Sequence, residues 1–307
     1  MPTQSPLALA RRLAPLVGLM IGAAGLAFVV RTLVVRSDEV ADAFGEMNPV
    51  SLAGSVALGT AAMWSIGHNW LSMLATRGHA APPRRAMRWY FAGQLGKYVP
   101  GGIWPIVGRA ELAVRGGVSR PVAYGSTTSS MAATYVAATV VTGASSLIAW
   151  SYPVVGGALI AAVALAAGAA WSPQVRAVTT RLTSRAGVTL AALPSVRTMA
   201  LSVAWHVPAW LLIAASTWVT GRAFGADFTA ADIVFASTAS WLAGFVVVGV
   251  PGGIGVREAV FTAIATPAVG SSVAVSVAVA SRVGFIAVDL VGTALATAIS
   301  GRAPAQP

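Results

Sequence analysis

The chain has 307 residues, of which 56 % are hydrophobic and only 9 % charged, and its mean hydropathy is +0.76. That composition belongs to polytopic membrane proteins and excludes a soluble globular domain, which would expose a large apolar surface. The net charge of +11 comes without any stretch interleaving basic and aromatic residues, so nucleic-acid binding is not expected; zero Cys excludes disulfides and thiolate chemistry.

In chain order, Arg11 and Arg12 precede an apolar run at 13–35, read as a retained first span with Arg31 snorkelling to the far interface. A short loop follows, with Arg36, Asp38, Glu39, Asp42 and Glu46, and then a second span at 50–76. Next comes a basic, partly amphipathic segment carrying Arg77, Arg84, Arg85, Arg88 and Lys97. Pro100, Gly101 and Gly102 break the next apolar segment and leave arms too short to cross comfortably. Residues 121–150 form a long span, and 154–171 turn back. A basic loop at 173–197 leads to a span at 199–219 holding His206 and Pro208. After Arg222, Asp227 and Asp232, an apolar segment at 233–250 runs into Pro251, Gly252 and Gly253 and a short arm to about 267. The last long span is 271–299.

The basic loops and the N-terminus belong in the cytoplasm by the positive-inside rule, as does the C-terminus, and the acidic loops fall outside. This assignment closes if both Pro-Gly-Gly segments are re-entrant hairpins. The expected architecture is an all-α polytopic membrane protein of about six full spans and two hairpins, in a cell membrane. Its halves, 1–151 and 152–307, are inverted relative to each other because each holds an odd number of full spans. Eight full spans satisfy the same charge rule, since 233–250 is long enough to cross alone.

The halves also share the pentapeptide Val-Pro-Gly-Gly-Ile, at 99–103 and 250–254, each copy followed by Arg and Glu. Broken apolar segments at matching places in two halves point to a transporter's binding site. Proline removes a donor and glycine admits φ > 0, so the freed backbone groups must line protein or a wet cavity. Helix ends meeting there attract anions such as phosphate; a tight bend between helices is the plainer alternative.

Only Glu111, Glu258 and Asp289 among the acidic residues lie away from the presumed exterior loops. A lone charge at the bilayer centre costs about 2.5–3.5 kcal/mol, so these residues, with Arg109, Arg257 and Arg282, need partners or tasks. Neighbours one or two apart on a helix do not face each other. Crossed pairs, Arg109 with Glu258 and Arg257 with Glu111, are therefore expected. Arg282 and Asp289, about 10 Å apart along one helix, should pair elsewhere. A static ion-pair network is the competing reading. Lys97 can meet a lipid phosphate or serve as an interfacial anchor. His206 reads as a helix-packing histidine ahead of a proton relay, and the serines at 126–130 as helix packing. Trp104, beside the first motif, is a candidate cavity wall. No catalytic triad, metal constellation or Gly-x-x-x-x-Gly-Lys-Ser/Thr loop occurs, so neither enzyme chemistry, a cofactor nor ATP use is expected.

The stretch from Gly93 to Arg109, Gly-Gln-Leu-Gly-Lys-Tyr-Val-Pro-Gly-Gly-Ile-Trp-Pro-Ile-Val-Gly-Arg, resembles the lysylphosphatidylglycerol synthase transmembrane-region family. So do Pro251-Gly-Gly-Ile-Gly-Val-Arg-Glu-Ala259 and Arg282, and the resemblance runs from about residue 10 to 300. It implies lipid translocation, with Arg109, Arg257, Glu258 and Arg282 at motif positions. Full-length synthases carry a soluble aminoacyl-transferase domain after the membrane region, whereas this sequence ends at 307, so synthase activity is not expected.

Together these readings point to a flippase moving an anionic headgroup, of a phospholipid or a polyprenyl-phosphate sugar, by alternating access. Lys97, the two Pro-Gly-Gly motifs, Arg109, Arg257 and Arg282 would bind it; Glu111, Glu258 and Asp289 would compete for the arginines or carry a coupling proton. Two alternatives remain: a non-catalytic membrane partner of glycosyltransferase or lipid-assembly enzymes, and an integral-membrane lipid-modifying enzyme.

Overall fold

A computed structural model describes residues 37–45, 48–99, 103–149, 152–174, 194–247 and 250–300, besides a few isolated positions. The expected first span, most of the loop after 174, and Pro100, Gly101 and Gly102 lie outside the described residues.

The described elements are helical, without strands: α1 Ser37–Gly45, α2 Pro49–Ala75, α3 Pro83–Gln94, α4 Trp104–Arg115, α5 Arg120–Ala149, α6 Pro153–Trp171, α7 Val196–Ala223, α8 Ala230–Val246, α9 Val256–Val269 and α10 Ser271–Ser300. Short 3₁₀ turns occupy Leu95–Tyr98 and Pro251–Gly253. Helices α2, α5, α6, α7 and α10 are long and apolar enough to cross a membrane, so the chain is an all-α integral membrane protein. The arms around the two motifs are shorter. At 12 residues each for α3 and α4, 17 for α8 and 14 for α9, they reach about 18, 26 and 21 Å, against a hydrocarbon core of about 30 Å. Helix α8 stops at Val246, where Val247 turns extended, short of the 233–250 run read from the sequence.

By compactness the chain divides into two units, each drawn from separate stretches. One comprises Met1–Gly59, Leu95–Pro105 and Ile213–Val288; the other comprises Thr60–Gln94, Ile106–Leu212 and Asp289–Pro307.

In the first unit, α8 packs on α9, and a core forms around Phe224, Phe228, Ile233, Phe261 and Val277. Phe228 and Phe261 meet edge to face, 6.4 Å between centroids. Hydroxyls tie α2 to α7: Ser55 Oγ lies 3.0 Å from Ser216 Oγ and 2.7 Å from Thr220 Oγ1. Away from water such bonds satisfy groups that lipid cannot.

In the second unit, α5 and α6 approach closely because glycines meet. A Cβ on Gly156 would stand 2.7 Å from the Gly143 carbonyl oxygen. The many hydroxyls of α5 turn back onto its own carbonyls, as in Thr134 to Ser130 O and Thr142 to Ala138 O. Ser129 accepts from Arg77 Nη2 at 3.0 Å.

His206 is fully buried, with Nδ1 2.7 Å from Ser202 O. Asn69 grips the same helix: Nδ2 donates to Ser202 O at 2.9 Å, and Oδ1 accepts from Ser202 Oγ at 2.8 Å. Asn69→Ala should therefore destabilise by about 1–3 kcal/mol, because a buried hydroxyl loses its acceptor. Exposed His68→Ala, one residue away, should stay within about 0.5 kcal/mol. Unfolding of both variants in mixed micelles measures the difference; equal values would sink the account of Asn69 as a tie.

Candidate functional site

The second Pro-Gly-Gly segment is a true break. Pro251 brings no N–H, and Gly252 (φ 55, ψ 18) and Gly253 (φ 72) adopt left-handed backbone. Helix α9 restarts at once. Its third residue, Glu258, reaches back so that Oε2 accepts the Gly255 N–H at 2.7 Å. This bond holds a buried carboxylate at the start of the helix.

Arg282 of α10 meets that start from the other side. Its Nε lies 3.7 Å from Glu258 Oε1, and its Nη1 donates to Gly252 O at 2.7 Å. One guanidinium thus neutralises the acid and satisfies a carbonyl freed by the break. Arg257 points differently, as adjacent helix positions must. Its guanidinium carbon stands 3.5 Å from the centre of the Trp241 ring. Phe285 and Phe245 pack edge-on against Trp241, at 5.0 and 5.5 Å. Lys97 Nζ lies 6.0 Å from the same indole. It comes from the 3₁₀ turn Leu95–Tyr98, which touches the 3₁₀ turn Pro251–Gly253. Lys97, Gly252, Gly253, Arg257, Glu258 and Arg282 are thereby gathered in one compact unit. A cavity of about 20 Å³ is lined by Ser237, Trp241, Arg257, Glu258, Ser281 and Arg282, among others.

Arg109 belongs to the other unit. It is 3 % exposed, with its guanidinium carbon 4.4 Å from the Tyr90 ring centre and 5.4 Å from that of Trp70. Its Nε finds no hydrogen-bond partner among the described residues. Glu111 is held by Arg120, at 3.2 Å, and by the Tyr124 hydroxyl, at 2.7 Å. Asp289, 1 % exposed, lies in the same unit. Glu111 and Glu258 each thus have a local arginine beside them. A four-residue turn brings Arg120 back to Glu111, and capping pins Glu258 where Arg282 reaches it. Trp104 is 42 % exposed.

One pattern escapes a reading of the sequence alone. Tyr90 and Trp241 each stand ten residues before the motif proline, and Gly93 and Gly244 each stand seven before it. Around both motifs the aromatic ring carries the arginine of the following arm, Arg109 on Tyr90 and Arg257 on Trp241. The glycine makes room for that arginine: a Cβ on Gly93 would lie 2.9 Å from Arg109 Cβ, and one on Gly244 would lie 2.3 Å from Arg257 Cγ. An aromatic-x-x-Gly at one fixed offset before each Pro-Gly-Gly is the available signal. It is hidden because the two aromatics differ in type.

Two arginines, an acid, a lysine and a helix start at a broken membrane segment can bind an anion and exchange its charge with the acid. In comparisons with known proteins, residues 16–292 match the family model described as the lysylphosphatidylglycerol synthase TM region. No curated protein matches the chain.

Proposed function

The chain belongs to the lysylphosphatidylglycerol synthase transmembrane-region family, and on that premise we propose that it is a flippase for lipids with anionic headgroups. The cluster of Arg257, Glu258 and Arg282 at the second helix break carries this reading. Arg257 and Arg282 receive the headgroup phosphate, Lys97 assists, and Glu258 takes Arg282 back when the lipid leaves. Arg109 on Tyr90 is the matching arginine of the first half. Glu111 and Asp289 have the lesser roles of charge pairing or proton coupling.

The two motifs are re-entrant hairpins in inverted halves, 1–151 and 152–307, and access alternates between them while acyl chains remain in the bilayer. The arm lengths and the shared offsets of Tyr90, Gly93, Trp241 and Gly244 support this arrangement. The membrane is the cell membrane and the termini are cytoplasmic, an orientation that the basic loops support.

The test is headgroup translocation in proteoliposomes, read by dithionite quenching of fluorescent anionic lipids. Arg257→Ala should slow flipping severalfold in a protein that still folds, and Glu258→Gln should slow it as well. A folded parent that moves no anionic lipid, polyprenyl phosphates included, would overturn the proposal.

A further inference from the structure

The small cavity beside the second break has a polar lining that its neighbours leave unsatisfied. Ser237 Oγ, Ser281 Oγ and Arg282 Nη2 are buried without a hydrogen-bond partner among the described residues, and Ser237 as a whole is 1 % exposed. Three such atoms around one space are costly unless a guest completes them. Arg282 Nη2 can only donate, and both hydroxyls can turn to donate, so the guest must be an acceptor. The one carboxylate in the lining is already engaged, through the Gly255 N–H on Oε2 and Arg282 Nε beside Oε1. Two arginines line the same space, with Trp241, Phe261 and Phe285 as its apolar walls. Two guanidinium charges against one engaged carboxylate favour a negative guest over a neutral one.

Size narrows the guest further. A water-sized guest needs about 10–15 Å³ of such volume, and the cavity holds about 20 Å³. Its inner volume seats one atom of that size.

We propose that this cavity is the seat of a single anionic acceptor atom: a halide in the lipid-free protein, and one phosphoryl oxygen of the headgroup when lipid is bound. The second half rests on the flippase reading; the first does not. Ser237 and Ser281 are then binding residues, and exchange of halide for a phosphoryl oxygen keeps the arginines neutralised in both states.

The experiment is thermal unfolding of the purified full chain in neutral detergent, in sodium chloride or in sodium gluconate at equal ionic strength. Saturating chloride should raise Tm by about 3 °C. The double variant Ser237→Ala/Ser281→Ala should lose most of that shift. Ser237→Val, which fills the cavity, should lose it even if its own Tm rises. Dihexanoyl phosphatidylglycerol should erase the chloride dependence in the parent, which separates a lipid oxygen from a free halide. Equal Tm in the two salts, or a shift that survives both variants, would mean water alone and would overturn the seat. If that happens while proteoliposomes still flip lipid, only this inference fails. A chloride shift lost in both variants, in a protein that moves no lipid, would uphold the halide seat and overturn the flippase.

Discussion

Arg282→Met should lower the folded-to-unfolded ratio by about two to four orders of magnitude, a loss of about 3–5 kcal/mol. The side chain is only 12 % exposed, and its removal leaves Glu258, equally sheltered at 9 %, without its ion-pair partner. It also frees the Gly252 carbonyl at a break that lipid cannot solvate. A double-mutant cycle separates these costs. Glu258→Gln keeps an oxygen for the Gly255 N–H and removes the charge, so Arg282→Met/Glu258→Gln should lose only about 1–2 kcal/mol. Denaturation in mixed micelles provides both numbers. If the double variant is as unstable as Arg282→Met alone, the buried charge is not what Arg282 controls.

Gly253→Ala should cost about 2–4 kcal/mol, for two separable reasons. A left-handed residue with a Cβ is strained by about 1–2 kcal/mol, and φ at Gly253 is 72°. The new atom would also lie 2.8 Å from Gly244 Cα, a backbone atom that cannot swing aside. Gly225 is the control. It caps α7 with φ 70°, but a Cβ there would meet nothing within 4 Å, so Gly225→Ala should show the strain alone. The excess of the first variant over the second, read as a Tm difference, measures the closeness of α8 to the break. No excess would mean that the approach is not tight in solution.

The membrane class and most helices are legible in the sequence because apolar run length reports bilayer thickness directly. Spans expected at 50–76, 121–150, 154–171, 199–219 and 271–299 correspond to α2, α5, α6, α7 and α10. The end of α8 is not legible: the residues from Val247 to Val250 are as apolar as the helix before them, and the break at Pro251 acts upstream of itself. Among site residues, Glu258 and Arg282 can be marked as needing partners, yet their mutual pairing depends on how α10 returns past α9. Arg120 escapes notice as a partner of Glu111 because it reads as an ordinary helix-end arginine. Trp241 and Tyr90 vanish among the many aromatics, since their role is set by what lies above the ring face.

The indole under Arg257 has one more property. Excitation of tryptophan shifts electron density from its pyrrole ring toward its benzene ring, so a fixed charge near the face displaces the emission. A guanidinium 3.5 Å from the ring centre is such a charge. Drawing Arg257 toward a phosphate would remove it from the indole, and the molecule would report its own loading in the colour of its light.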